Sequence, residues 1–340
     1  MPFEPHPLLR NPHLQTWAAV YLPRHRYPYR ADRHLVTLDD GDQVVLHEDR
    51  PPQWRPGDRV AVLVHGLGGS YRSAYMVRVA AKLNAAGCRT FRKDLRGCGA
   101  GSGLAWWPFH SGRSKDVAAA LGLVASRCPN SPITLIGFSL GGNLVLKLLG
   151  ESSSAAEYGV DSAITACAPI DLRASCRHLI QPANRFYDRR FVVHLLRQYA
   201  LRRKLLPAAP MPKKIRRPRN LWELDELLTA PICGFRGAED YYAGCSARRY
   251  LSSIKVPTRI LIAEDDPLVP SNQYAGLELP VAVRLCKVAA GGHLGFITSR
   301  QNGADRQWLD QQIVGWTTGG ESPSFADDQA GGASGGRKAK

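Results

Sequence analysis

The chain has 340 residues, 44% of them hydrophobic, and a formal net charge of +16. This length and apolar content allow one large hydrophobic core and exclude disorder of the whole body. No run of about 18 apolar residues is present, and the first residues carry charge and proline where a secretion signal would be apolar. We therefore expect a soluble cytoplasmic protein.

The eight cysteines are expected to be free thiols, because they form no CxxC pair and no secretion signal accompanies them. The spacing of histidines and cysteines predicts no metal site. A GxxxxGK[ST] phosphate loop is also missing from the sequence, which argues against nucleotide hydrolysis. We expect the protein to need neither a metal nor an organic cofactor.

Apolar runs alternate with amphipathic stretches along most of the chain, in the βαβ pattern of a mostly parallel sheet. Residues 1–33 are expected to form an irregular leader that packs on the body, 34–317 the body, and 318–340 a disordered tail. The predicted strands are 34–38, 43–47, 60–64, 89–92, 133–136, 163–168, 258–262 and 283–288, and the predicted helices are 73–86, 113–127, 142–150 and 304–316.

A glycine-rich loop, His65-Gly66-Leu67-Gly68-Gly69, follows the predicted strand 60–64. Glycines here let the backbone approach a ligand closely. The backbone N–H of Leu67 is therefore a candidate for binding a developing oxyanion, together with a second N–H further along the chain. An ordinary strand-to-helix loop is the alternative interpretation.

Three aromatic residues, Trp106, Trp107 and Phe109, come after the glycine-rich loop that follows the predicted strand 89–92. They are candidates to line an acyl pocket at the same edge of the sheet. An equally good interpretation of their position is packing beneath the segment between the sixth and seventh predicted strands.

The pentapeptide Gly137-Phe138-Ser139-Leu140-Gly141 stands between the predicted strand 133–136 and a predicted helix. A serine at such a sharp turn has its hydroxyl exposed, and small residues on either side let the strand and helix pass each other. Ser139 is therefore the candidate nucleophile. The backbone N–H of Leu140 is the second candidate oxyanion donor.

The segment between the sixth and seventh predicted strands is strongly basic. Residues 173–219 contain fourteen Lys or Arg and a single acid, Asp188. A concentrated basic surface attracts anions, so this segment is a candidate for peripheral contact with an anionic membrane or for binding acidic substrates. A solvated surface is the simpler interpretation. We expect no nucleic-acid binding, because no nucleic-acid motif accompanies the charge.

Carboxylates and a histidine complete the candidate site near the end of the chain. Asp265 and Asp266 follow the predicted strand 258–262, at the sheet edge where ligands of parallel sheets gather. Asp171, after the predicted strand 163–168, is a rival acid. His293 lies between glycines in a loop after the last predicted strand. A serine, an acid and a histidine in this order suit nucleophilic catalysis.

Several of these motifs together resemble the YheT-like family of α/β-hydrolases. The resemblance covers about residues 8–316, and its most family-specific part is Asn11-Pro12-His13-Leu14-Gln15-Thr16. The other shared motifs are the HGLGG loop, DLRGCG at 94–99, GFSLGGN at 137–143, EDDP at 264–267 and GGHLGF at 291–296. The resemblance favours Asp266 as the acid, because similar sequences have the functional aspartate four residues before the proline that is Pro270 here.

The resemblance implies an α/β-hydrolase fold, with a mostly parallel eight-stranded sheet flanked by helices. It also implies a helical cap, at about residues 172–250, between the sixth and seventh strands. It implies a serine esterase or lipase acting on short- or medium-chain acyl esters or acylglycerols, with Ser139, Asp266 and His293 as catalytic triad. Three alternatives remain open: a thioesterase or acyltransferase with the same triad, a non-catalytic binding protein, and a basic surface-binding module.

Overall fold

A computed structural model describes residues 3–21, 31–152, 154–211, 216–299 and 305–319. Its central feature is an eight-stranded sheet with the strand order β1-β2-β4-β3-β5-β6-β7-β8. The strands are β1 Asp32–Thr37, β2 Gln43–Asp49, β3 Val60–Val64, β4 Arg89–Lys93, β5 Ile133–Phe138, β6 Val160–Ala166, β7 Thr258–Ala263 and β8 Val283–Val288.

Helices connect most of these strands. They are α1 Pro12–Tyr21, α2 Ala74–Ala85, α3 Ser114–Arg127, α4 Leu140–Glu151, α5 Ser154–Glu157, α6 Leu172–Leu179, α7 Arg185–Leu205, α8 Leu221–Leu224, α9 Ala230–Ile232, α10 Ala238–Cys245 and α11 Trp308–Thr318. Short 3-10 helices occur at Pro7–Leu9, Gly99–Gly101, Pro182–Asn184, Arg248–Ser253 and Ser271–Tyr274, and a π-helical turn at Asp225–Thr229.

The sheet is parallel from β4 to β8, and only β1 and β2 pair antiparallel with their neighbours. Strands β3 and β5 are buried along their whole length, as parallel strands covered on both faces must be. One hydrophobic cluster joins the sheet to α3 and α4, and a second joins its other face to α2 and α11. The mostly parallel eight-stranded sheet flanked by helices is confirmed.

The helices α6 to α10 lie between β6 and β7 in the chain, which confirms the predicted position of a helical cap. Their apolar side chains form a third hydrophobic cluster that also includes Leu140, Leu268 and Val269 from the loops at the carboxyl edge of the sheet. The cap therefore packs directly over the predicted site. Within the described ranges, no helix has the length and apolarity needed to cross a membrane.

The expectation of an irregular leader is wrong for residues 12–21, which form helix α1. Asn11 caps this helix, because its side-chain oxygen accepts hydrogen bonds from the backbone N–H groups of His13 and Leu14. Pro12 occupies the first helical position, where its fixed backbone angle suits the helix. At the other end of the body, Thr318 is the last residue of α11, so it does not begin the predicted tail. Residues 320–340 of that tail lie outside the described residues.

Candidate active site

The turn between β5 and α4 holds Ser139 in an unusual backbone conformation. Its φ is 51° and its ψ is −123°, a region that residues other than glycine rarely adopt. The next residue, Leu140, begins α4. The backbone N–H of Ser139 donates to the carbonyl of Ala166 on the neighbouring strand, over 2.8 Å, and so fixes the turn at the carboxyl edge of the sheet. The conformation agrees with the strand-turn-helix order expected from the sequence.

A chain of hydrogen bonds joins the serine, the histidine and one aspartate. His293 Nε2 is 2.9 Å from Ser139 Oγ, and His293 Nδ1 is 2.8 Å from Asp266 Oδ2. The second carboxylate oxygen of Asp266 accepts from the backbone N–H groups of Leu268 and Val269, at 2.8 and 3.0 Å. Both oxygens of Asp266 are thus engaged, and the carboxylate holds the imidazole with Nε2 toward the serine.

The two other candidate acids have different partners. Asp265 Oδ1 accepts from the backbone N–H of Gly292 over 2.9 Å, so it fastens the histidine loop to the loop after β7. Asp171 is the N-cap of α6 and accepts from the backbone N–H of Ala174. Neither carboxylate has a hydrogen bond to His293 among the described contacts.

Helix α1 supports the loop that carries His293. Thr16 Oγ1 accepts from the backbone N–H of His293 over 2.9 Å. Gln15 is fully buried and makes two hydrogen bonds to the backbone of Ile297, one to the N–H and one to the carbonyl. Gly292 allows this close approach, because a β-carbon at that position would lie 2.8 Å from Thr16 Oγ1. The family resemblance marked the segment from Asn11 to Thr16 as specific, but the sequence gave no indication of the role of this segment.

The HGLGG loop lies directly against Ser139. A β-carbon added to Gly66 would be 2.9 Å from Ser139 Cβ, so the backbone here comes as close as a glycine permits. Within the described part of the chain, the backbone N–H groups of Leu67 and Leu140 have no intramolecular acceptor. Leu140 is also the first residue of α4, where N–H groups are unpaired and the helix dipole favours negative charge.

His65 supports this loop from inside the protein. Its ring is completely buried, and Nε2 accepts from the backbone N–H of Leu95 in the DLRGCG segment. Burial lowers the pKa of His65 to about 4, so the ring is neutral at physiological pH. Asp94 of the same segment accepts from the backbone N–H groups of Tyr71 and Ala100. These two motif residues therefore organise loops behind the site.

Two cavities open on either side of Ser139. The smaller, of about 140 Å³, is mainly apolar and includes Leu67, Trp107 and Phe109 in its wall. Trp106 lines neither cavity: its side chain is 42% exposed, and its carbonyl accepts from Arg202. The larger cavity, of about 670 Å³, lies between α1, the HGLGG loop and α7.

Cys167 lies beside the aspartate and the histidine. Its sulfur, a carboxylate oxygen of Asp266 and a nitrogen of His293 all lie within 4.8 Å of one another, close enough in principle to hold a metal ion. Burial raises the pKa of Cys167 well above its usual value, so an ion would have to displace the thiol proton. An ion would also have to replace the hydrogen bond between His293 and Asp266.

The fold agrees with comparisons to known proteins. A family model described as the alpha/beta hydrolase fold matches residues 60–299. The esterase YheT of Escherichia coli is 31% identical over 313 residues, which cover 91% of this chain and 90% of that protein. The monoacylglycerol lipase of Saccharomyces cerevisiae is 27% identical over 273 residues, which cover 74% of this chain and 57% of the lipase.

Among solved structures, the esterase Pf2001 of Pyrococcus furiosus is similar, with a TM-score of 0.53 and 15% identity. The match covers 87% of this chain and 96% of that one, and at this identity it shows the fold alone. The sequence and family matches confirm the resemblance seen in the motifs. The chain belongs to the α/β-hydrolase family, as a member of its esterase and lipase type related to esterase YheT.

Proposed function

We propose that the protein is a serine hydrolase that cleaves carboxylic esters through an acyl-serine intermediate. The observation that carries the proposal is the unbroken hydrogen-bond chain from Ser139 Oγ through His293 to Asp266, at the turn between β5 and α4. A serine hydroxyl is a weak nucleophile at neutral pH and needs an adjacent base, which His293 supplies in this geometry.

In the first step, Ser139 Oγ attacks the ester carbonyl while His293 Nε2 accepts the hydroxyl proton. Asp266 holds the imidazole in the required tautomer and stabilises its charged form. The backbone N–H groups of Leu67 and Leu140 donate to the developing oxyanion, and each such donor is worth on the order of 3 kcal/mol in comparable enzymes. His293 then gives the proton to the departing alcohol. Water, activated by the same histidine, releases the acid from the serine.

The smaller cavity supports short- or medium-chain acyl esters as substrates. Its apolar wall, which includes Trp107 and Phe109, begins at Ser139 and extends beneath the cap. In this proposal residues 172–250 are the cap that covers the acyl chain. The lipase activity named for the yeast relative makes acylglycerols a reasonable class to include.

The basic cap supports a second, weaker contact, with an anionic membrane surface. Helix α7 carries exposed arginines at positions 185, 189, 190, 197 and 203. A cluster of this kind attracts anionic lipids without inserting into the bilayer. This contact would bring the cap close to an interface that contains ester substrates.

Hydrolysis of p-nitrophenyl esters with acyl chains of two to sixteen carbons tests the proposal. The variant Ser139→Ala should lose at least about a thousandfold in kcat and should no longer react with a fluorophosphonate probe. Ser126→Ala, in an exposed part of α3, is the matched control and should keep both properties. Turnover that survives in a folded Ser139→Ala protein would refute the proposal.

A further inference from the structure

The larger cavity beside Ser139 is lined by positive charge. Arg78, Arg189, Arg190 and Arg197 contribute to its wall, and no Asp or Glu of the described residues does so. Arg78 is paired with Asp310, so the uncompensated charge comes from the three arginines of α7. Among the described residues, the smaller cavity has two arginines and one carboxylate, Asp225, in its wall. Arg96 is neutralised by the carboxylates of Asp40, Asp42 and Asp116, and Arg202 donates to backbone carbonyls. The two sides of the nucleophile therefore differ in charge as well as in size.

Helix α7 presents a basic face to the larger cavity. Arg190, His194 and Arg197 are spaced four and three residues apart, so they share one side of the helix. Considering only the described residues, Arg189, Arg190 and Arg197 form no salt bridge. The guanidinium of Arg190 does contact the ring of Tyr21 on α1, 5.3 Å from its centroid. Burial, and then the neighbouring Arg190 and Arg197, lower the pKa of His194.

Two buried nitrogen atoms in residues of this wall have no hydrogen-bond partner among the residues that the structure describes. Arg78 is 6% exposed, and its Nε and Nη2 donate to Asp310, but its Nη1 is unpaired. His194 Nε2 is buried and unpaired as well. The ring of His194 lies against the HGLGG loop, since a β-carbon at Gly68 would be 3.1 Å from its Cδ2. Buried polar groups without partners are uncommon and costly in folded proteins, and these two lie just behind the cavity wall, where the described residues leave them unsatisfied.

We propose that the larger cavity binds the alcohol portion of the substrate and that this portion carries a phosphate. The proposal rests on the proposed hydrolase function and names its substrate class. Guanidinium groups match phosphate oxygens with paired, charge-assisted hydrogen bonds, and Arg190 and Arg197 stand at the cavity rim to provide them. The acyl chain occupies the apolar cavity on the other side of Ser139.

The phosphate takes no part in the chemistry. Ser139 Oγ forms a bond to the acyl carbon, and the bond from that carbon to the alcohol oxygen breaks. The proton that His293 took from the serine goes to this oxygen. Water then cleaves the acyl-serine, so the products are a carboxylic acid and the free phosphorylated alcohol.

The test compares two monomeric substrates that differ only in the phosphate, 1-hexanoylglycerol 3-phosphate and 1-hexanoylglycerol. We expect kcat/KM to be at least tenfold higher for the phosphorylated ester. The double variant Arg190→Gln/Arg197→Gln should lower the ratio of the two values at least tenfold. Arg203→Gln removes a charge from the same helix outside both cavities and should leave the ratio unchanged. A ratio near one, or a ratio that the double variant does not change, overturns the proposal.

Two further measurements complete the test. A phosphocholine ester with the same acyl chain separates the two sources of phosphate. A higher kcat/KM for this ester identifies a phospholipid headgroup as the preferred form. A higher kcat/KM for 1-hexanoylglycerol 3-phosphate identifies a free phosphate monoester. Calorimetry of glycerol 3-phosphate with the Ser139→Ala protein separates this proposal from the hydrolase function. Binding that the arginine substitutions weaken at least tenfold supports the phosphate site even if no ester is cleaved, and the absence of binding overturns it.

Discussion

At the scale of single residues, the choice among three carboxylates decides how the histidine is held. Asp266 gives one oxygen to His293 and the other to two backbone N–H groups, so it cannot rotate without losing three hydrogen bonds. Asp265 is bound to Gly292, and Asp171 caps α6. The positions of these three carboxylates in the sequence did not decide which one is the acid, because all of them follow strands that end at the same edge of the sheet.

Replacing Asp266 by Asn should therefore lower kcat by about 10³- to 10⁴-fold, because an amide favours the wrong imidazole tautomer. The matched substitution Asp171→Asn should leave kcat unchanged and have little effect on stability, since Asn also caps helices well. Ester hydrolysis and thermal unfolding of both variants check this. Equal losses in the two variants would show that Asp266 is not the acid.

At the scale of elements, helix α1 connects the histidine loop to the cap. It holds the loop through Gln15 and Thr16, and it reaches α7 through His13, whose Nδ1 is 3.1 Å from the hydroxyl of Tyr187. Trp17 contacts Phe186 and Tyr187 on the same helix of the cap. The family-specific segment thus belongs to the site, although none of its side chains has a hydrogen bond to Ser139 among the described contacts.

We expect Thr16→Val to lower kcat by about ten- to a hundredfold with little change in KM. The substitution leaves the buried N–H of His293 without its acceptor, and a small displacement of a reacting group has effects of this size. Thr16→Ser keeps the oxygen and should restore most of the activity. Steady-state kinetics with one short ester measure both, and a Ser variant as slow as the Val variant would contradict this role.

The strands and the strand-turn-helix at Ser139 could be predicted because each depends on local pattern and chain order. The position of the cap was implied by the family resemblance. Helix α1 had a local signal too, in Asn11 followed by Pro12, which is typical of a helix start. The contact of Thr16 with His293 and the cavity that Arg78 shares with α7 could not be predicted, since they bring together residues far apart in sequence. Trp106 stays an untested prediction as an acyl-pocket residue: its sequence neighbours Ala105 and Trp107 line the smaller cavity, while Trp106 itself is 42% exposed.

At the scale of the whole molecule, positive charge is concentrated on the cap, while much of the body is internally paired. Buried carboxylates neutralise Arg78, Arg89 and Arg96 beneath the surface. The exposed arginines of α7 form no salt bridge with any residue in the described part of the chain. The unpaired part of the net charge of +16 therefore lies mainly on the side of the molecule that covers the cavities.

The protein should adsorb to vesicles that contain anionic lipid, and adsorption should fade as salt rises from roughly 50 to 500 mM. Each basic residue near such a surface contributes about 1 kcal/mol, so Arg185→Gln/Arg203→Gln should weaken adsorption by at least tenfold. Cosedimentation measures the bound fraction, with vesicles of zwitterionic lipid as the control. Adsorption that does not respond to salt would exclude an electrostatic contact.

The hydrogen bonds of Gln15 to Ile297 span 282 residues of chain. During synthesis, the ribosome must therefore release the chain beyond residue 297 before the histidine loop can dock on α1. Strand β5 and the turn at Ser139 emerge long before that point, and closing so long a loop is slow. The nascent protein should accordingly hold an unactivated serine from the time that residue 139 emerges until residue 297 has emerged. Ser139 and His293 cannot come together until nearly the whole fold has formed. Reaction with an active-site probe would therefore report the completion of folding.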